Sequence, residues 1–109
     1  AVADPEVADA MRYIRAHALE GITVADVLEQ VALSRRVLDL RFRELIGRTP
    51  HEEIRRLQIE RIKQLLRESD LPLATIADRT GFKHVEYMSE VFKKETGDPP
   101  HTFRERTRL

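Results

Sequence analysis

Cysteine is absent from the 109 residues, and tryptophan is absent too. Without thiols the chain has no disulfide framework and no thiolate metal site, and it suits a reducing compartment. Aromatic residues make up only 6%, so a core drawn from the 41% of hydrophobic residues is mainly aliphatic. Long apolar runs are missing as well. Nothing approaches the ~18 residues a membrane-spanning helix needs, and no basic-then-apolar leader opens the chain. The first residue is not methionine, which reads as a segment trimmed from a longer protein. The histidines are His17, His51, His84 and His101, and none forms an HExxH pair. There is no Ser-His-Asp grouping and no Gly-rich phosphate loop. No metal, cofactor or catalysis is therefore expected.

What the chain does have is a repeat. From Leu73 onward, a short helical pattern around Ile76 and Ala77 runs into Thr80-Gly81-Phe82. A longer one follows, with Val85, Met88, Val91 and Phe92 on one stripe. Gly81 sits where the chain must turn sharply between two helices. A short helix, a tight turn and an amphipathic helix make a helix-turn-helix. The same pattern occurs earlier. Val27 to Leu33 matches Ile76 to Phe82 at an offset of 49. Leu38, Phe42, Gly47, Pro50 and His51 match Met88, Phe92, Gly97, Pro100 and His101 at an offset of 50. The second copy thus holds one extra residue, expected near the start of its long helix, and Lys83 stands where Ser34 stands in the first. A doubled unit calls for an architectural reading first: two similar units, each with a polar helix face able to enter a DNA major groove.

These residues resemble the DNA-binding domain of the AraC/XylS family of bacterial transcription regulators. The resemblance rests on Ile76-Ala77, Gly81-Phe82, Phe92-Lys93-Lys94, Gly97, Pro100 and Phe103-Arg104, joined in the first copy by Ser34, Leu38, Phe42, Gly47 and Pro50. It covers roughly Met11 to Thr107. Leu33 to Leu38 and Arg41-Phe42 are similar to the subgroup that regulates xylose operons. The resemblance implies an effector-binding and dimerisation domain before Ala1, a sugar-responsive activator as the whole protein, RNA polymerase as a possible partner, and a cytoplasmic, nucleoid-associated location.

The pattern predicts an all-α fold of about seven helices, in which two helix-turn-helix subdomains (1–48 and 70–109) are joined by a long linker helix (49–69). Asp4-Pro5 starts the first helix and Gly21 ends it. Thr23 caps a short second helix, and Ser34 caps a third running to Ile46. Val37, Leu38, Phe42 and Leu45 form the buried stripe of this third helix. Ala32 takes the place of Gly81, at a cost of ~1 kcal/mol if its φ is positive. Thr49 and Glu52 have capping-box spacing and open a helix to about Glu68. Ile54, Leu57, Ile62, Leu65 and Leu66 point inward from it. At ~1.5 Å per residue it spans roughly 28 Å, near the ~34 Å repeat of duplex DNA, so it is expected to hold two readers in successive grooves. Asp98-Pro99-Pro100 starts a last helix with Phe103 inside and Arg104, Arg106 and Arg108 outside.

Net charge is zero, from 19 Lys+Arg and 19 Asp+Glu. A DNA binder is usually basic, and neutrality favours the alternative of a helical protein–protein interaction module. The distribution answers part of this. Residues 1–33 carry a net −4 and residues 34–48 a net +3, whereas residues 69–109 balance. Positive charge thus concentrates on the first recognition helix, and the second is expected to bind less strongly. Base readers belong in the first turns of each such helix. In the first, the resemblance points to Arg36, Asp39 and Leu40, with Ser34, Arg35 and Arg43 on phosphates. Arg36 can fork onto guanine, Asp39 can accept from cytosine or orient an arginine, and Leu40 can meet a thymine methyl. In the second, the base-contact candidates are His84, Val85, Glu86, Ser89 and Glu90, with Lys83, Lys93 and Lys94 on phosphates. The partner is double-stranded DNA, with no membrane contact.

Overall fold

Asp4 and Pro5 fix where the first helix begins. The Asp4 carboxylate accepts from the N–H groups of Glu6 at 3.0 Å and Val7 at 3.3 Å, and a proline at the first helical position has no N–H left to satisfy. A computed structural model describes residues 3–108. Residues 1, 2 and 109, the outer ends of the two expected subdomains, lie outside the described residues. Helix α1 (Pro5–His17) buries Val7, Ala10, Met11 and Ile14. It tightens into a 3-10 turn at Ala18–Glu20, so the α-helix stops before Gly21, the end the sequence suggested. Helix ends commonly tighten in this way.

Six more helices follow: α2 (Val24–Leu28), α3 (Arg35–Ile46), α4 (Pro50–Glu68), α5 (Leu73–Arg79), α6 (Val85–Thr96) and α7 (Pro100–Thr107). No strand occurs among the described residues. The chain divides into two units. The first takes the chain up to Ala18 and then Ile22–Leu57; the second takes Leu19–Gly21 and the chain from Gln58 on. Helix α4 is continuous across the division at Leu57 and Gln58. Its start is the expected capping box: Thr49 N–H donates to Glu52 at 2.8 Å, and Glu52 N–H donates to Thr49 Oγ1 at 3.2 Å.

In the first unit, Val7, Ala10, Met11, Ile14, Ala18, Val27, Leu38, Phe42 and Ile54 form the core. Each large side chain taken fully out of water contributes ~1.5–3 kcal/mol. Leu45 was expected inside and is 49% exposed; Ile46 packs on the core in its place. Ile46 lies four residues after Phe42, nearer the buried stripe than Leu45, which lies three after and seven beyond Leu38. The turn before α3 needs no glycine. No residue other than glycine has positive φ, and the Ala32 N–H is met by the Glu6 carboxylate at 3.0 Å.

Glu53 on α4 is fully buried. Its carboxylate accepts from Arg48 Nε at 2.7 Å and from Arg56 Nε and Nη2 at 2.8 and 2.9 Å. The Arg56 hydrogen bonds hold its pKa below the ordinary 4.5, with Arg48 adding to them against the cost of burial. A depressed carboxylate pKa contributes stability above its unfolded value and loses it as pH falls through the lower folded value. Stability of the first unit should therefore decline below about pH 4.5. Glu53→Gln should flatten that decline and cost about 1–2 kcal/mol at pH 7, since both arginines are partly exposed. Thermal melts from pH 7 to pH 3 check this; parallel curves for both proteins would show that Glu53 does not carry the effect.

In the second unit, Ile59, Ile62, Leu65, Leu66, Ile76, Ala77, Phe82, Met88, Phe92 and Phe103 form the core. Phe92 and Phe103 meet edge to face, 5.4 Å between centroids. Arg104, expected outside, instead donates from Nε to the Leu66 carbonyl and from Nη2 to the Ser69 carbonyl, both at 3.2 Å. It satisfies carbonyls that the end of α4 leaves unpaired. Arg106 pairs with Asp98 at 2.5 Å, and Arg108 pairs with Asp70. The bond from Arg108 holds the Asp70 carboxyl below its usual range.

Candidate nucleic-acid interface

Both recognition helices have 12 residues and start 50 positions apart, at Arg35 and Val85. The extra residue of the second copy therefore lies in the turn, ahead of the helix. This corrects the place given to Lys83: it is an exposed turn residue, and His84 is the N-cap. Ser34 caps α3 through its side chain, accepting from Val37 N–H at 3.3 Å. His84 makes no such bond. The turn before α6 is closed differently from its counterpart. Phe82 N–H donates to the Ala77 carbonyl at 2.9 Å, and Gly81 takes φ +89°.

On α3, the full burial of Leu38 and Phe42 decides what the opposite side presents. At 100° per residue, Arg36, Leu40 and Arg43 lie opposite the core, with Asp39 on the flank. Arg36, Leu40 and Arg43 are exposed and Asp39 is partly buried; Leu40 is 56% exposed. Among the described residues, Arg36 makes no ion pair, and Asp39 holds neither Arg36 nor Arg43 by a hydrogen bond. The α3 face offers one guanidinium in its first turn, one isobutyl group and a second guanidinium near its far end. Arg35 points elsewhere. It lies beside the core side of the helix, along a cleft that His51 and Arg55 also line. Sequence reading left His51 and Arg55 out of the interface, although their spacing of four residues on α4 places them on one face.

On α6 the matching stripe is Glu86, Ser89, Glu90 and Lys93, position for position. Glu86, Glu90, Lys93 and the neighbouring Lys94 are exposed, and Ser89 is partly buried. Val85 does not share this face; it packs against the core of the second unit. Tyr87 is half exposed, with its ring 5.9 Å from Phe82. The second stripe thus sets two carboxylates where the first has an arginine and a leucine. Carboxylates repel phosphates and accept only from base amino groups. Of the sequence-derived candidates, Arg36, Leu40 and Arg43 form one exposed face, and Glu86, Glu90 and Lys93 another. Ser34 and His84 sit at the helix entrances.

A helix-turn-helix domain family matches residues 27–106. The xylose operon regulatory protein of Escherichia coli K12 is 38% identical over 102 residues, covering 94% of this chain and 26% of that protein. A putative AraC-like transcription regulator of Streptomyces lividans is 36% identical over 103 residues, covering 94% of this chain and 34% of its own length. The chain therefore spans about a quarter to a third of these relatives. The crystal structure of the DNA-binding domain of AdpA in complex with a target DNA superposes with a TM-score of 0.84 at 25% identity, covering 94% of this chain and 93% of that one.

Proposed function

The chain is a DNA-binding domain of the AraC-type helix-turn-helix family, and from that premise we propose that it is the reading end of a sugar-responsive activator. In this reading α3 and α6 enter successive major grooves, Arg36, Asp39 and Leu40 contact bases from the first, and Glu86, Ser89 and Glu90 contact them weakly from the second. His84 and Val85 stand at the entrance of α6. Ser34, Arg35, Arg43, Lys83, Lys93 and Lys94 serve the phosphates. The observation that carries it is the doubled unit with an exposed, arginine-bearing face on α3. The 19 residues of α4, roughly 28 Å at 1.5 Å per residue, support two contacts about one helical turn apart.

The sugar response rests on the likeness to the xylose operon regulatory protein. It requires an effector-binding and dimerisation domain outside this chain, with RNA polymerase as the activator's partner. We propose no catalysis and a cytoplasmic, nucleoid-associated location. Among the described residues no helix is long and apolar enough to cross a membrane.

A duplex selected from random sequence tests the reading. Binding should weaken with salt at a logarithmic slope of about −0.9 per phosphate contacted, and footprints should show two protected patches about one turn apart. A single patch would remove α6 from the interface. Salt-independent binding with no preferred duplex would favour a protein-interaction module instead.

A further inference from the structure

The first unit holds a cleft of about 440 Å³, lined by Arg35, His51, Arg55 and Thr23 together with Ile22 and Ile54. No carboxylate lines it. The nearest ones in sequence are engaged elsewhere: Asp26 closes the capping box with Thr23 at 2.8 Å, and Glu52 the one with Thr49 at 2.8 Å. The Glu52 carboxyl is held below its usual range chiefly by those Thr49 bonds, with smaller help from Arg43 and His51. Two guanidiniums and an imidazole around one concavity suit a tetrahedral oxyanion, because an arginine fork matches paired phosphate oxygens.

The repeat supplies an internal comparison. At the matching positions the second copy has Val85 for Arg35, His101 for His51, Glu105 for Arg55 and Pro72 for Thr23. Val85 packs against its core. Only the histidine is kept, so the repeated architecture alone does not account for the cationic lining. It belongs to the unit whose recognition helix also carries the excess of positive charge.

Arg35 is the first residue of α3 and lies about 100° round the helix from Arg36, so the cleft borders the entrance of the groove-facing helix. We infer that this cleft grips one phosphate of the DNA backbone beside the groove that α3 enters, with Arg35, His51 and Arg55 as its ligands. The inference rests on the proposed DNA-binding reading and extends the interface from α3 to the first turns of α4.

Binding of the 109-residue chain to a random-sequence duplex, measured across salt concentrations, tests it. Arg55→Gln and Arg35→Gln should each reduce the salt slope by about 0.9. Between 50 and 200 mM salt the wild-type chain should then lose roughly threefold more affinity than either variant. The loss should be equal on preferred and random duplexes, because a phosphate carries no sequence information. Arg55→Lys, which keeps the charge, should restore most of the slope and guards against a folding defect. An unchanged slope in both glutamine variants, or a loss confined to one base pair, overturns the assignment. So does saturation of the cleft by inorganic phosphate with the DNA slope unaltered, which would assign it to a small phosphate. A wild-type chain that binds no duplex would instead defeat the DNA-binding reading itself.

Discussion

Gly81→Ala should destabilise the second unit by about 3 kcal/mol or more, enough to unfold a marginal one. Two costs fall on one methyl group. The backbone at Gly81 has φ +89°, a left-handed conformation that costs a residue with a β-carbon ~1–2 kcal/mol. The added Cβ would also stand 2.6 Å from the backbone nitrogen of Gly21 and 3.1 Å from Gln58 Nε2. Neither neighbour yields readily. Gly21 is main chain, and the Gln58 side chain is buried and donates to the Thr80 carbonyl at 3.0 Å. Gly47→Ala is the control, since its φ is +84° but nothing lies within 4 Å of its Cβ. It should cost only the conformational ~1–2 kcal/mol. Urea melts of both variants give the comparison. Equal losses would mean that the approach of Gly21 to Gly81 contributes nothing.

Arg36→Ala should weaken binding to the preferred duplex by ~1–3 kcal/mol, about fivefold to 150-fold, and abolish discrimination at one base pair. Arg36 is exposed in the first turn of α3, opposite the core, and among the described residues it makes no ion pair. No internal contact has to break before the guanidinium forks onto a base. The matching change in the second unit should act in the other direction. Glu86→Ala removes a carboxylate that repels phosphates, so affinity for random duplex should rise modestly. Competition among duplexes carrying single base-pair changes distinguishes the outcomes. If Arg36→Ala weakens every duplex alike, its side chain contacts a phosphate and reads no base.

The elements were legible where one residue type has one mechanical job. Asp4-Pro5, Thr23, Ser34 and the Thr49–Glu52 pair all mark helix starts that the structure keeps. The repeat made the two stripes legible as well, with Phe42 and Phe92 fully buried at matching positions. Three features escaped for separate reasons. Placing the extra residue inside the helix put Lys83 at the cap, because spacing in sequence does not say where a turn absorbs an insertion. Leu45 and Ile46 both border the stripe, and only the exit of the chain at Gly47 separates them. Glu53 reads as surface by its chemistry. Its counterpart at an offset of 50 is Phe103, a core residue, and that register was a usable signal for burial. The Arg104 bonds to Leu66 and Ser69 cross 38 and 35 residues, a distance over which local pattern carries nothing.

Of the interface, the sequence made the outward face of α3 legible, because burial of Leu38 and Phe42 leaves Arg36, Leu40 and Arg43 outside. It could not reveal that Arg35 turns away from that face towards α4. One turn of helix separates these outcomes, and the cleft that receives Arg35 is built partly from residues 16 to 20 positions later.

Leu19–Gly21 group with the second unit, although the residues on both sides of them group with the first. The gene for such a chain looks like a tandem duplication, yet the product cannot be halved at its midpoint. A fragment beginning at Gln58 would lack the backbone that Gly81 packs against, and its complement would end in three residues stripped of their neighbours. Dissecting the protein into single reading heads would therefore require transplanting that tripeptide along with the C-terminal half.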